Sequence, residues 1–212
     1  MKMSAADVSV TVYGATYSVY VRIVRIALHE KGVPYDLVPI DVFAEGGLPA
    51  DYRARHPFGR IPAFEHDGFG LYEASAITRY VDEAFPGPPL QPRGLRERAR
   101  MNQIIAMLDN YAYRPMVWDV YVQRVETAPA DEARIAAGLE KARTVLAALS
   151  GLCGKGHWLA GPDASLADFH AAPMFALFGQ APEGATLLAD FPEIHAWWER
   201  VKARPSVIAA GA

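Results

Sequence analysis

Hydrophobic positions change their period along this chain, and the change divides it in two. Over Val8, Ser9, Val10, Thr11, Val12 and Tyr13 the β-prone residues follow a period of two, and Gly14 ends the run, which predicts a strand. From 19 to 31 the period becomes helical. Val21, Val24 and Leu28 fall on one face and Arg22, Arg25 and His29 on the other, with Gly32 placed to close the helix. Residues 35–40 read as a second strand. Residues 61–64 and 69–72 flank His66-Asp67-Gly68 as a hairpin, and 73–85 is helical again. The segment between the second strand and the hairpin, which contains Gly46-Gly47-Leu48-Pro49, reads as a loop or short helix. The order, βαβ and then ββα, predicts a mixed four-stranded sheet covered by helices.

Pro86-Gly87-Pro88-Pro89, Pro92 and Gly94 form the clearest linker. Beyond it the strand signals fade. Residues 96–126 carry one long helical pattern with a bend expected at Pro115. Residues 131–149, 165–178 and 194–203 predict three more helices. The fold class is therefore α/β followed by all-α: a first domain over 1–84, a linker over 85–94 and a helical bundle over 95–212.

Composition narrows the function. The chain has 212 residues, enough for a sizeable core without disulfides. It carries 21 Lys and Arg against 24 Asp and Glu, a net charge of -3, which speaks against a general nucleic-acid binder. The one cysteine, Cys153, excludes an intrachain disulfide and a cysteine-built zinc cluster, and the six histidines lack ligand spacing, so no metal is expected. Residues 1–7 do not resemble a signal peptide, and no stretch reaches the roughly 18 apolar residues of a membrane helix. A soluble cytoplasmic protein is expected.

Three segments carry candidate chemistry. In Tyr13-Gly14-Ala15-Thr16-Tyr17-Ser18 a strand passes through a tight loop into a helix, with Ser18 at the start of that helix. Such a serine is a good N-cap. Its hydroxyl can also donate to an anion that the helix dipole already favours, and if the anion is a thiolate its pKa falls. Lowering a thiol pKa by roughly two pH units corresponds to about 2.7 kcal/mol. Tyr13 and Tyr17 compete for that role. In His56-Pro57-Phe58-Gly59-Arg60-Ile61-Pro62 a proline opens a strand, and a cis bond before Pro62 would turn the backbone of Ile61 toward a peptide-like ligand. In Leu71-Tyr72-Glu73-Ala74-Ser75-Ala76-Ile77 an acid meets a helix N-terminus. Glu73 can pair with a ligand ammonium while the helix N–H groups take a carboxylate, the two charges of an amino acid head group.

With these motifs in order over the first half, the chain resembles the cytosolic glutathione transferases, in a serine-type bacterial version with a phi- or theta-like first βα unit. Ser165-Leu166-Ala167-Asp168 resembles the family's buried capping box, and Phe191-Pro192 through Arg204-Pro205-Ser206 its last helical stretch. The resemblance implies a thioredoxin-like N-terminal domain that binds glutathione as co-substrate, a helical C-terminal domain and a homodimer. It implies that Ser18 stabilises the thiolate, that Pro62 is cis, and that Ile61, Glu73 and the backbone of Ala74 hold the peptide. Tyr17, Tyr111 and Pro115 become candidates for the acceptor pocket. Asp168 is expected to be structural. His56 through Pro62 is similar to the family's Asn-Pro-x-Gly-x-Val/Ile-Pro segment. Three departures stand out. Ala74 replaces a serine, Gly47-Leu48 lies where related enzymes often carry a His-Lys pair, and Arg60, which replaces a residue that is often Gln or Lys, is left as the substitute cation. The rival expectation is a non-catalytic glutathione-transferase-like binding protein.

Overall fold

The computed structural model describes residues 9–153 and 157–212. The chain separates into two compact units, divided between Pro88 and Pro89. In the first, the elements run β1 (Val10–Tyr13), α1 (Val19–Lys31), β2 (Asp36–Val38), α2 (Tyr52–Arg55), β3 (Ala63–His66), β4 (Phe69–Tyr72) and α3 (Ala74–Ala84). The strands form one sheet in the order β2-β1-β3-β4, with β1 parallel to β2 and antiparallel to β3, and β3 antiparallel to β4. This is the mixed four-stranded sheet that the sequence predicts.

The pattern of burial explains these elements. Val10 and Val12 of β1 are buried and alternate with half-buried Thr11 and Tyr13. On α1, Val21, Val24 and Leu28 are buried, as the period requires, and Ile23, Ile26 and Ala27 join them. Gly32 ends the helix at φ 64, donating to His29 O and Leu28 O. α3 packs against α1. Lys31, at the end of α1, is buried; its Nζ lies 3.1 Å from Asp82 Oδ1 and donates to the carbonyls of Asp82 and Pro88. One cation thus ties α1 to α3 and to the end of the unit.

Two strands are shorter than their sequence pattern predicts. β2 is shorter than 35–40 because it is an edge strand, and its partner among the described residues, β1, ends at the pair Tyr13–Val38. β3 begins at Ala63, since Pro62 has no N–H to offer a ladder. Val8, placed in the first strand by its sequence, lies outside the described residues. The hairpin turn is as expected, with Asp67 and Gly68 both at positive φ, the conformation Asp-Gly favours.

The second unit holds α4 (Leu95–Met107), α5 (Glu132–Cys153), α6 (Leu166–Phe178), α7 (Pro182–Ala189), α8 (Pro192–Lys202) and α9 (Pro205–Ala209). The helical run that α4 opens continues to Glu126, but its second part adopts wider π-type turns from Leu108 onward. The Tyr113 N–H reaches the Leu108 carbonyl, five residues back. A proline inside an α-helix removes one hydrogen bond and crowds the preceding turn. Here the response around Pro115 is a long change of register that starts before the proline. α5 packs closely on this wide segment. A Cβ on Gly138 would stand 3.0 Å from Asp119 Cβ and 3.2 Å from the Pro115 carbonyl oxygen, so any larger residue makes its neighbours give by a few tenths of an ångström. α7 was not foreseen in the sequence. Its signals were Pro182 and Glu183 in the first turn, masked by a short, mostly small-residue pattern.

α6 is buried on nearly every side. Ser165 and Asp168 form a reciprocal capping box at its start. The Asp168 carboxylate is fully buried and accepts from Leu159 N–H, Ser165 N–H, Ser165 Oγ–H and Trp197 Nε1–H at 2.8–3.0 Å. It therefore joins α6, α8 and the segment before α6, and touches no open surface.

Candidate functional site

The first unit gathers its candidate residues at the ends of β1 and β3. Gly14 follows β1 and is fixed there by Gly14 N–H to Val38 O and Ile40 N–H to Gly14 O. A Cβ on Gly14 would come within 2.4 Å of Val21 Cγ2 and 3.4 Å of Ile61 Cβ. This glycine lets β1, the start of α1 and the Ile61 segment approach one another. The next residues turn sharply, with Ser18 N–H donating to Ala15 O, and Arg22 Nε holds Thr16 O from one turn inside α1.

Ser18 is the N-cap of α1, one residue before the first turn where the sequence placed it. Its backbone is extended and its Oγ accepts from Val21 N–H at 3.4 Å. Acceptance leaves the hydroxyl proton to donate. Capping and donation to an anion are thus compatible in one side chain, and the dipole of α1 favours that anion. Ser18 is half-buried.

The tyrosines beside it are committed elsewhere. Tyr17 Oη–H donates to Asp41 Oδ1 at 2.7 Å, and Asp41 also accepts from Phe43 N–H. The Tyr17 ring lies 5.9 Å from that of Phe43. Burial, together with the Asp41 carboxylate, pushes the Tyr17 phenol up to about 12. With its one donor proton given to Asp41, the phenol has none left for a thiolate. Tyr13 carries the Arg55 guanidinium over its ring at 4.3 Å. Cys153, in the other unit, is half-buried, and burial pushes its thiol up to about 11.

Ile61 is buried, two residues ahead of the β3 ladder, and the Ile61–Pro62 bond is cis. Arg60 beside it is exposed, and its carbonyl accepts from the buried Tyr52 hydroxyl at 2.8 Å. Tyr52 went unnoticed in the sequence, since its partner is fixed by α2 packing and not by any spacing. The same is true of Asp41, which meets Tyr17 across 24 residues of chain.

Glu73 stands between β4 and α3 at φ 71, ψ 110. A non-glycine residue held there is strained, and such strain is concentrated at functional sites. Ala76 and Ile77 N–H take Glu73 O, so the N–H groups of Ala74 and Ser75 precede the first intrahelical bond. Glu73 itself is exposed and Ala74 is buried. One carboxylate and one helix N-terminus lie side by side, as a zwitterionic head group needs. Gly47, at φ 72, and Leu48 bring no cation to the loop after β2.

Tyr111 and Pro115 belong to the helical unit, and there they part company. Tyr111 is 65% exposed, whereas Pro115 is buried where α5 presses on its carbonyl. The sequence put both on one face by a spacing of four, which the wide turns do not preserve. Arg93, Arg96, Arg98 and Arg100 are all exposed. Among the described residues no group of acidic, histidine and cysteine side chains could hold a metal, and no helix is long and apolar enough to cross a membrane.

A thioredoxin-like unit with this loop, cis proline and strained acid, followed by a helical unit, defines the architecture of glutathione transferases. The family models agree. Residues 12–89 match the glutathione S-transferase N-terminal domain and residues 103–205 the C-terminal domain. A probable glutathione S-transferase GSTF2 of Oryza sativa subsp. japonica is 32% identical over 199 residues, covering 92% of each chain. The crystal structure of glutathione transferase F7 from Populus trichocarpa superposes with a TM-score of 0.83 at 31% identity, over 95% of this chain and 97% of that one. A glutathione S-transferase-I solved with lactoylglutathione gives a TM-score of 0.83 at 29% identity, over 95% and 97%. The chain belongs to the glutathione S-transferase family.

Proposed function

We propose that the protein is a glutathione transferase that stabilises the thiolate of glutathione for attack on a small electrophilic acceptor. The observation that carries this reading is the Ser18 N-cap: its hydroxyl keeps a proton to donate, at a helix N-terminus that Gly14 brings against Ile61. Glutathione then lies along the sheet end. The backbone of Ile61, ahead of cis Pro62, pairs with the cysteinyl part. Glu73 takes the glutamyl ammonium, and the N–H groups at Ala74 and Ser75 take the glutamyl carboxylate. Arg60, exposed beside Ile61, takes the glycyl carboxylate. Ser18 donates to the sulfur. The thiol proton leaves to solvent, the sulfur lone pair forms the new bond to the acceptor carbon, and the leaving group departs with its electron pair.

The serine-type part of this reading stands on Ser18. The bacterial part has no support in the plant relatives, and no bacterial branch is proposed. Of the acceptor-pocket candidates, Tyr17 offers an exposed ring in the first unit and Tyr111 one in the second, where Pro115 acts through the shape of the wide turns. Residues 1–84 form the glutathione-binding domain in this scheme, 85–94 the linker and 95–212 the acceptor-binding domain. A homodimer follows mainly from the family resemblance, with exposed apolar side chains such as Phe58 at 68% and Leu95 at 76% available to an interface. Light scattering at micromolar concentration tests it, and a monomer rejects it. The cytoplasm suits a lone, unreactive thiol.

The second reading, a non-catalytic binding protein, is favoured by the missing hydroxyl at Ala74 and the missing cation at Gly47-Leu48. Losing one hydrogen bond to a charged group costs about 1.5–3 kcal/mol. Isothermal titration with glutathione separates the two. Saturable binding together with turnover of an activated aryl halide supports the enzyme. No heat at millimolar glutathione supports the rival.

A further inference from the structure

His56 is a buried polar residue of the first unit to which this scheme gives no role. It closes α2, its N–H bonding to Tyr52 O, and its side chain is buried, with only 3% of the residue exposed. The ring lies 4.9 Å from the Tyr72 ring, centroid to centroid, and meets the Phe58 ring edge-on at 6.2 Å. Its Nδ1 is buried and has no hydrogen-bond partner. A buried orphan nitrogen is costly, and one kept in a native site calls for a reason. Tyr72 directly precedes Glu73, so the imidazole is packed against the hinge that holds the strained acid. The family segment has an asparagine here, which has the polarity but cannot titrate.

We propose that His56 is a positioning residue that makes capture of the glutamyl end of glutathione depend on pH. Neutral, its ring supports Tyr72 and leaves Glu73 to the ligand ammonium. Protonated, it sets a second cation beside Glu73 that competes with that ammonium. The inference deepens the glutathione reading and rests on it.

The groups around the ring are consistent with this. Burial first holds the imidazole below its usual range; Glu73, from the cap of α3, favours the proton, Arg60, from the loop before β3, opposes it, and the backbone of His56 itself favours it. Tyr72 of β4 and Phe58 of the loop flank the ring without formal charge. On α2, Arg55 is engaged with Glu65 and the Tyr13 ring, and the Tyr52 hydroxyl with Arg60 O. The response therefore falls on the acid side of neutrality.

The test is isothermal titration of the full chain with S-methylglutathione, whose blocked thiol removes thiol ionisation from the readout. Between pH 7 and pH 5 the ligand's carboxyls stay ionised and its ammonium charged. The expected result is a dissociation constant about 3–10-fold larger at pH 5 than at pH 7, with about 1.5-fold change or less in His56→Asn. Equal losses in both proteins, or no loss in the wild type, overturn the inference. No binding by the wild type at pH 7 overturns the glutathione reading instead. Should His56→Asn fail to fold, the His56 ring protons of the wild type are titrated by NMR. By reciprocity the ligand must lower the midpoint of that titration, and an unmoved midpoint overturns the inference.

Discussion

Two serines open two helices in this protein, and the structure uses them in opposite ways. Ser165 caps α6 in the core, where its N–H and its hydroxyl both donate to Asp168, which also binds Leu159 and Trp197. Ser18 caps α1 at a half-buried site, accepts from Val21 N–H and retains a proton to donate. The cap chemistry is the same. At the α6 cap the serine and aspartate answer each other, with Leu159 and Trp197, from within the protein, so the cap is part of the fold. At α1 the hydroxyl proton is left over at a helix N-terminus, so the cap is available to a ligand. A motif read as helix start is thus neutral about function until the partners of its hydroxyl are known.

The comparison breaks most visibly at Asp168. Asp168→Ala leaves the Leu159, Ser165 and Trp197 donors buried without an acceptor, at about 1–3 kcal/mol each before relaxation. We expect a loss of roughly 3–5 kcal/mol in urea unfolding, at the large end for a single substitution. Glutathione affinity of the folded fraction should not change. If Asp168→Ala is as stable as the wild type but inactive, the division between a structural and a functional cap is wrong.

Ser18→Ala is the reciprocal experiment. The pKa of bound glutathione should rise by one to two pH units, a loss of roughly 1.4–2.7 kcal/mol of thiolate stabilisation. Turnover at neutral pH should then fall about ten- to a hundredfold, with less effect on glutathione affinity. Stability should fall by only about 1 kcal/mol, the ordinary value of a cap. A pH–rate profile that stays in place in Ser18→Ala would remove the serine from its role and leave the helix amides as the thiolate's donors.

Much of this contrast was legible in the sequence. The strand-loop-helix around Ser18, the Ile61-Pro62 step, Glu73 before a helix and the Ser165–Asp168 spacing each follow from local chemistry, and all four appear within a residue or two of where their patterns put them. What stayed hidden depends on contacts between distant segments. The Tyr17–Asp41 bond, the Tyr52 hydroxyl under Arg60 and the orphan nitrogen of His56 have no spacing to reveal them. Pro115 misled for another reason. Its effect spread along the helix as a change of turn width, and that change undid the i, i+4 argument that had paired it with Tyr111.

A smaller effect concerns pH and stability. Burial first, and Arg60 with it, lower the His56 pKa in the folded state, while Glu73 works against them. The folded protein therefore binds that proton less well than the unfolded chain. Its contribution is fully present above the unfolded value near 6.5 and is lost as pH falls through that value toward the folded one. The urea midpoint should drop between pH 7.5 and pH 5 by more in the wild type than in His56→Asn. Equal drops would assign the acid sensitivity to other groups.

The smallest expected effect is the sharpest check on the Ser18 side of the comparison. Tyr17 adjoins Ser18 in sequence and carries a better hydrogen-bond donor, so adjacency alone would favour it. Its phenol, however, is already given to Asp41, which also orders Phe43 N–H. Tyr17→Phe keeps the ring against Phe43 and removes only that bond. The pH–rate profile should stay within about 0.3 of a pH unit, well short of the one to two expected for Ser18→Ala, because no donor to sulfur has been lost. The freed loop after β2 should instead raise KM for the acceptor, with kcat at saturation nearly unchanged, the mark of lost uniform binding. If Tyr17→Phe shifts the profile as far as Ser18→Ala does, the phenol must leave Asp41 when glutathione binds, and the thiolate is held by both residues.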